Sequence, residues 1–439
     1  MPTQTPFPKV PVVGYVGGSN YDGTFRWDDW GRLCHYDALV VGFANYWNEQ
    51  SSCHGPTEAG LDAVPQLNTN ACIQRGPAWL GAPSEWSGCS LTQCGGCGDG
   101  TVGEQILSYQ RKGRRVLLSV GGANADATNM NAVKGVALAD SLWNMYLGGA
   151  DARYHNWRPF GPQVVLDGID IDLEQTAAGC PTSAACTEVM EGWYFFLKRI
   201  RALMDADSRK EYLITAVPIN TKFADPAAGG YPSWGAYTHG YLPGIDNCPA
   251  DFLACSTDGC PAGSSADVAL RAQPSQSIFM AMHLIDFLWP QYYPSPVEIT
   301  MNGDCWTNDL LAWTQIAIHA AKVSGEPNRC RVGVGVPFGA GAANGGQIGA
   351  VDAVTKISAA LGTHPVLTRT FGGMFGWVSA PDLEPTTGCA AAPSSPYRPS
   401  ASRCLTSLLL APTVGRTSTG TTAPLPAVPL RMRASSPSF

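Results

Sequence analysis

One apolar segment of the chain carries a carboxylate at every second position. The segment VVLDGIDIDLEQT, residues 164–176, combines Val, Ile and Leu with Asp170, Asp172 and Glu174. Successive side chains of a β-strand point to opposite faces, so these three acids would share one side. Neighbours in the row would then stand about 6–7 Å apart and repel one another. Packing gives no reason for such a row, so the pattern indicates chemistry.

Close carboxylates move each other's pKa values apart, so one of them can stay protonated near neutral pH. Glu174 is the natural proton donor, because it comes last in the row and nearest the end of the strand. Asp167 falls on the opposite face, and we expect a structural role for it. A metal site or a satisfied salt-bridge cluster is the alternative. A metal site would need His or further acids nearby as ligands, and none is obvious on the strand.

Eight apolar runs could form the strands that position this row. They cover residues 10–18, 38–46, 114–124, 164–174, 212–220, 285–293, 331–339 and 371–379. Several of these runs are apolar almost without interruption, as expected for parallel strands that are buried on both faces. With helical periodicity at 190–204 and 309–323, they predict an α/β fold, a (β/α)8 TIM barrel with insertions. A doubly wound open sheet is the competing architecture, although GYVGGSN matches its phosphate turn poorly.

Polar and aromatic residues end several of these runs. Barrel interiors are normally filled by Val, Ile and Leu, so acids there need hydrogen bonds or a shared proton. Trp289, Gln291 and Tyr293 share one face of their run. The residues that end other runs in the right phase to line the barrel mouth are Tyr15, Phe43 and Asn45.

The composition narrows the class of partner. The formal net charge is −7, which argues against nucleic acid, since nucleic-acid binding leaves a basic footprint. Thirteen Trp and fifteen Tyr suit carbohydrate faces as well as protein cores. No apolar run approaches the roughly 18 residues that a membrane span needs.

Fifteen cysteines point to an oxidising compartment, and the odd count leaves at least one unpaired or joined to another chain. The first residues lack the basic start and apolar core of a signal peptide, so we expect a secreted protein whose signal was removed. The CGGC segment at Cys94–Cys97, with Cys89, could bind zinc. No second pair follows at suitable spacing, so disulfides are favoured.

Three cysteine-containing insertions follow predicted strands, at residues 47–113, 175–187 and 221–275. In a barrel they would lie on the C-terminal face, where disulfide-bonded loops would form the sides of a groove. The predicted organisation is an N-terminal extension (1–9), one catalytic barrel (10–411) and a tail (412–439). The tail is rich in Ser, Thr and Pro, which predicts disorder.

The segment DGIDIDLE resembles the Asp-x-x-Asp-x-Asp-x-Glu signature of family 18 glycoside hydrolases, the chitinases and their relatives. Further similarity to the hevamine-like class III branch lies in LLSVGG (117–122), ITAVP (214–218), PQYY (290–293), VGVGVP (332–337) and GGMFGW (372–377). The acidic signature is highly specific, whereas the other segments are only supportive. The long cysteine-rich insertions depart from the compact plant enzymes of that branch.

The resemblance implies hydrolysis of β-1,4 bonds between N-acetylglucosamine units, with retention and with the substrate's own acetamide as nucleophile. Glu174 would protonate the leaving oxygen, Asp172 would hold the acetamide N–H, and Asp170 would share a proton with Asp172. Tyr293 would donate to the acetamide carbonyl and Gln291 would position the sugar. Trp377 would form the floor beneath it.

This reading implies chitin or a related oligosaccharide as partner, no cofactor, no metal, no nucleic acid, no membrane and a monomeric protein. Two alternatives stay open. One is a non-hydrolytic chitin-binding lectin of the same fold, although such relatives generally lose the acid that Glu174 supplies. The other is an endo-β-N-acetylglucosaminidase acting on N-linked glycans, or a chitinase that also cleaves peptidoglycan.

Overall fold

The fold is given by a computed structural model of the chain. The structure describes residues 6–16, 36–45, 66–67, 102–122, 130–152, 163–173, 183–218, 248–273, 275–293, 300–338 and 346–378, with residues 154, 158, 160 and 343. The predicted tail and Cys89, Cys94 and Cys97 lie outside this part of the chain.

The described residues form eight parallel strands and one short antiparallel strand. They are β1 (Val12–Val16), β2 (Ala38–Asn45), β3 (Gln66–Leu67), β4 (Arg115–Gly121), β5 (Gly168–Asp172), β6 (Leu213–Ala216), β7 (Phe287–Leu288), β8 (Arg331–Phe338) and β9 (Phe371–Val378). The parallel strands pair in the order β1, β2, β4, β5, β6, β7, β8 and β9, and β9 pairs with β1 again. Strand β3 runs antiparallel beside β2. The closed ring confirms the predicted barrel, and the open sheet is wrong.

Helices follow most of the strands and surround the barrel. They are α1 (Val102–Arg111), α2 (Ala132–Tyr146), α3 (Ser183–Ala206), α4 (Ser265–Arg271), α5 (Trp306–Ser324), α6 (Ala350–Thr363) and α7 (Pro365–Thr370). Two 3-10 helices cover Ala250–Ala254 and Phe279–Leu284. Local sequence sets some of the ends. Asn131 caps α2 by accepting the Lys134 N–H at 3.0 Å, and Gly325 ends α5 at φ 71°.

The strands divide the apolar core into two parts. Outward residues such as Ile169 and Ile171 of β5 pack against the helices, whose large buried side chains include Trp193 and Phe196. Inward residues such as Val13 and Phe287 fill the barrel. Phe7 lies against Phe287, with ring centroids 5.4 Å apart, at the N-terminal end of the barrel. Burial of both faces explains why the strand segments are almost continuously apolar.

Glycines of β8 make room for the aromatic side chains inside the barrel. A Cβ at Gly335 would stand 2.2 Å from a ring carbon of Phe375, and one at Gly333 would stand 2.6 Å from Trp289. Real Cβ atoms do not approach so closely, so Gly335 accepts no larger residue without movement of the Phe375 ring. At Gly333 the backbone carbonyl of Gly373 would also have to move, since it would lie 2.1 Å from the Cβ.

Two disulfides join described cysteines of the third insertion and its surroundings. Cys248 is bonded to Cys305 at the start of α5, and Cys255 is bonded to Cys260. Cys330 is a buried free thiol. Residues 256–258 lie along α5, because Gln315 donates to the Ser256 carbonyl at 2.8 Å and Lys322 approaches the Asp258 carbonyl at 3.5 Å. Only the Cys248 end of this described segment therefore lies at the C-terminal side of the barrel.

Candidate active site

Strand β5 turns its acids into the barrel. Ile169 and Ile171 face the helices, and the alternation of the strand sends Asp170 and Asp172 inward. Both carboxylates are buried, with exposures of 0% and 1%. Glu174, the predicted proton donor, lies outside the described residues.

Three hydroxyl groups donate hydrogen bonds to Asp170. The hydroxyl of Thr215 donates to Oδ1 at 2.6 Å, and that of Ser119 donates to Oδ2 at 2.8 Å. The Tyr15 hydroxyl also donates to Oδ2. Burial raises the pKa of Asp170 above its ordinary value, while the bonds from Thr215, Tyr15 and Ser119 oppose that rise. The three donors therefore compensate in part for the loss of water around the carboxylate.

Strand register brings these donors to Asp170. Ser119 of β4 and Thr215 of β6 pair directly with Asp170, so the three side chains stand side by side on the inner surface. Tyr15 reaches the same carboxylate from β1. Burial raises the pKa of Tyr15 well above its ordinary value, and the charges of Asp170 and Asp172 add to this effect. Tyr15 consequently remains a protonated donor at neutral pH.

Asp172 lies one step closer to the C-terminal end of the barrel and is held by Gln291. The Gln291 amide donates to Asp172 Oδ1 at 2.9 Å and to the Val217 carbonyl at 2.9 Å. Gln291 is itself buried, at 2% exposure. It follows β7 and forms an isolated parallel bridge with Gly335. Asp172 is thus fixed in orientation by a neutral donor.

Aromatic rings lie beside these acids. The ring of Tyr15 is 5.1 Å from that of Phe375 and 5.3 Å from that of Trp377, and Tyr293 is 6.2 Å from Phe375. Trp377 is half-buried, close to the end of β9. The structure therefore brings the predicted site residues Tyr15, Tyr293 and Trp377 into one aromatic cluster with Phe375, in which Tyr15 also contacts Asp170. Phe43 and Asn45 belong to β2, but their side chains lie outside the described residues.

Asp167 takes no part in this group, in keeping with the structural role predicted for it. It accepts from the Val116 N–H at 2.8 Å and from Gln110 at 2.7 Å. Lys210 and Arg115 form ion pairs with it at 3.0 and 3.6 Å. These contacts place it at the N-terminal end of the barrel, opposite to the acids of the row.

Two residues of the site carry no predicted role in the sequence, namely Ser119 and Thr215. Ser119 lies in the LLSVGG segment and Thr215 in ITAVP. Each shares the inward phase of its strand, which is the one local signal that could have identified them. Their contact with Asp170 depends on the register between strands, which a single strand does not reveal.

The arrangement can support proton transfer and recognition of a polar ligand. A buried chain of polar groups, from the three hydroxyls through the two acids to Gln291, lies inside the barrel below an aromatic wall. In the part of the chain that the structure describes, no group of three or more His, Cys, Asp or Glu residues could hold a metal ion. In the same part, no helix is long and apolar enough to cross a membrane.

Sequence comparison finds relatives that are named chitinases. "Endochitinase 3" of Metarhizium anisopliae is 35% identical over 199 residues, which are 45% of this chain and 55% of that protein. "Acidic endochitinase" of Cicer arietinum is 25% identical over 344 residues, or 77% of this chain and 86% of that protein. The chain is similar to chitinases. This similarity confirms the resemblance that the acidic signature predicts.

The similarity to chitinases has limits. The chain spans about half the length of the Metarhizium endochitinase that it matches, 55%. No protein-family model matches the chain. Among solved structures, the xylanase and α-amylase inhibitor protein XAIP-II from Scadoxus multiflorus aligns with 92% of this chain and 99% of its own, at 16% identity and a TM-score of 0.46. A TM-score at that level supports no statement about activity.

Proposed function

We propose that this protein hydrolyses β-1,4 glycosidic bonds between N-acetylglucosamine units, with retention and with the substrate's acetamide as nucleophile. The observation that carries the proposal is the pair Asp170 and Asp172. Both are buried inside the barrel, and the second is held by Gln291 at 2.9 Å. The sequence similarity to chitinases supports the class of substrate.

Asp172 would orient the acetamide of the sugar that is attacked. Its carboxylate accepts a hydrogen bond from Gln291 at Oδ1, which restrains its rotation. An acetamide N–H donated to Asp172 would turn the carbonyl oxygen toward the anomeric carbon. The negative charge would also stabilise the oxazolinium ion that forms. Asp170, buried directly below, would share a proton with Asp172 and so adjust its charge during the reaction.

Glu174 would act as the acid and then as the base. It follows Asp172 by two residues in the sequence. As acid it would protonate the leaving oxygen, and as base it would activate the water that opens the intermediate. The Tyr293 hydroxyl would donate to the acetamide carbonyl and Gln291 would help position the sugar.

Aromatic residues would bind the sugar rings. Trp377 would offer an apolar face beneath the sugar, beside the Tyr15 ring at 5.3 Å. Phe43 and Asn45, near the end of β2, would complete the mouth. Chitin or its oligomers would be the partner of a secreted, monomeric protein. The proposal calls for no cofactor and places no nucleic acid or membrane at the site.

Hydrolysis of soluble N-acetylglucosamine oligomers tests this proposal. We expect the wild-type protein to shorten the oligomers and to release the β-anomer first at the new reducing end, as NMR or rapid chromatography can show. Glu174→Gln should lower kcat by about 10²–10⁴-fold, because the positioned proton donor is lost, while oligomer binding persists.

Other results would contradict the proposal in distinct ways. Early release of the α-anomer would exclude retention. Wild-type protein that binds the oligomers and leaves them intact would instead support the lectin alternative. Cleavage confined to N-linked glycans would favour the endo-β-N-acetylglucosaminidase.

A further inference from the structure

Tyr292 stands between two residues of the site but points the other way. Gln291 and Tyr293 face the barrel interior, and Tyr292 packs in the outer core. Its hydroxyl is buried and donates to Asp309 Oδ2 at 3.0 Å and toward the Trp306 carbonyl at 3.4 Å. Its ring meets that of Trp306 edge-on, with centroids 6.4 Å apart. Tyr292 therefore joins the segment after β7 to the first turn of α5.

The first turn of α5 is itself fixed. Cys305, its N-cap residue, is bonded to Cys248. Asp309 is 2% exposed and donates its backbone N–H to the Cys305 carbonyl at 3.0 Å. Lys356 of α6 donates to the Met301 carbonyl at 2.6 Å, just before the helix. The acceptor of the Tyr292 hydroxyl is consequently part of a restrained unit.

Regular strand pairing ends before residues 291–293. Strand β7 has two residues, and Pro290 offers no N–H to the ladder. Beyond it, the Gln291 N–H bonds to the Pro218 carbonyl at 2.8 Å and the Tyr292 N–H bonds to the Gly335 carbonyl at 2.9 Å. The Gly335 N–H also bonds to the Pro290 carbonyl at 2.9 Å, so backbone bonds to both neighbouring strands set the path of the segment. On its outer side, the Tyr292 hydroxyl anchors the segment to α5 as well.

We infer that Tyr292 and Asp309 are positioning residues, whose hydrogen bond holds Gln291 and Tyr293 in the orientation that the reaction requires. This inference rests on the proposed function. Loss of the bond frees the outer side of the segment, which lets the Gln291 amide shift away from Asp172 and the Tyr293 hydroxyl shift away from the sugar. Because these contacts matter most in the transition state, kcat falls more than the affinity for substrate.

The test is a set of variants assayed on soluble N-acetylglucosamine oligomers, well below each variant's unfolding temperature. Tyr292→Phe removes one hydroxyl, and we expect kcat to fall about 10-fold or more with KM changed less than about twofold. Asp309→Ala should match it. Asp309→Asn keeps a carbonyl acceptor in the same place and should retain most of the activity.

Tyr109→Phe is the matched control. The Tyr109 hydroxyl is buried and donates to the Tyr36 carbonyl at 2.9 Å, far from β7 along the barrel. Both Tyr→Phe variants should lose thermal stability, but only Tyr292→Phe should lose kcat.

Three results would overturn the inference. They are a Tyr292→Phe variant with wild-type kcat, equal loss of kcat in Tyr109→Phe, and equal activity of Asp309→Ala and Asp309→Asn. If Tyr292→Phe does not fold, the comparison of Asp309→Ala with Asp309→Asn tests the inference in its place. Wild-type protein without turnover would refute the proposed function, and this inference with it, whereas active wild-type protein with an unaffected Tyr292→Phe variant would refute the inference alone.

Discussion

At the scale of single residues, the charge of Asp170 results from two opposing influences. Burial alone favours the neutral acid, and three donated hydrogen bonds favour the carboxylate. Since Ser119, Thr215 and Tyr15 are themselves neutral, they stabilise the charge without cancelling it. The three bonds therefore limit the rise in the pKa of Asp170 that burial causes.

Thr215→Val tests this balance, because the two side chains have nearly the same shape and only the hydroxyl is lost. Removing this donor raises the pKa of Asp170 further, so the acidic limb of the kcat profile should move to higher pH. A buried acceptor left without its donor should also cost about 1–3 kcal/mol of unfolding free energy. The measurements are pH–rate profiles on soluble oligomers and urea unfolding.

Thr215→Ser is the control for that prediction, since it keeps the hydroxyl and removes a methyl group. It should leave the acidic limb in place and lose less stability than Thr215→Val does. An acidic limb that does not move in Thr215→Val would show that Asp170 does not control the protonation that matters.

The site was predictable from sequence where a single strand determines it. The inward direction of Asp170 and Asp172 follows from alternation along one segment. The contact of Thr215 with Asp170 depends on which residues of β5 and β6 lie opposite each other, and threonine is common in strands for other reasons. The link from Tyr292 to Asp309 was equally hidden, because it depends on how α5 packs against the segment after β7.

At the scale of elements, small residues of β8 face large aromatic residues of β9 inside the barrel. The Phe375 ring contacts those of Tyr15, Tyr293 and Trp289, so it cannot move aside. Strand β8 accommodates it by carrying Gly335 opposite. The small residues of β8 thus support the aromatic wall of the site.

Gly335→Ala should destabilise the protein by about 1–3 kcal/mol, because the new methyl group overlaps Phe375 and the Pro290 carbonyl. Gly362→Ala, in α6, is the control: no atom lies within 4 Å of the added carbon, and alanine favours a helix. It should raise stability by about 0.5–1 kcal/mol. Urea unfolding of both variants measures the difference, and equal effects would contradict the packing explanation.

The existence of each element was easier to predict than its ends. All eight apolar runs contain a strand of the barrel, and the helical periodicities at 190–204 and 309–323 lie within α3 and α5. The run at 285–293 was too long, since β7 ends at Leu288 just before Pro290. Apolar residues continue beyond that point because the segment packs in both cores and still bonds to its neighbours, with Gln291 forming a bridge to Gly335.

At the scale of the whole molecule, the barrel has one end for the site and one for stability. Acids that come directly before β2, β5 and β7, and one between α3 and β6, form ion pairs at the N-terminal end of the barrel. These pairs are Asp37 with Arg114, Asp167 with Lys210, Asp207 with Arg209, and Asp286 with Arg201. The separation agrees with the general division of such barrels, in which the C-terminal face carries the chemistry.

Closure of the barrel was predictable from the number of runs, but this ion-paired end was not. Apart from Asp207 with Arg209, its pairs join residues far apart in sequence, such as Asp167 and Lys210, and such residues come together only when the ring closes. The path of the third insertion along α5 was hidden for the same reason.

Asp207 gives this stabilising end a measurable pH dependence. It accepts from Arg209 Nε at 2.7 Å, from another Arg209 nitrogen at 2.8 Å, and from the Tyr212 hydroxyl at 3.0 Å. The Arg209 bonds lower the pKa of Asp207 from its ordinary 3.8 to about 2. A lowered pKa means that the carboxylate's contribution is fully present above pH 4 and is lost as the pH falls toward 2.

Asp207→Asn should therefore cost about 0.5–1 kcal/mol at pH 6, a modest value because the Arg209 side chain is largely exposed and water screens the pair. The deficit relative to wild type should shrink steadily between pH 4 and pH 2, as urea unfolding across that range can measure. Arg209→Gln should show the same pH dependence, since it removes the main cause of the lowered pKa. A deficit that is equal at pH 6 and pH 2 would mean that Asp207 stabilises the fold through hydrogen bonding alone, without its charge.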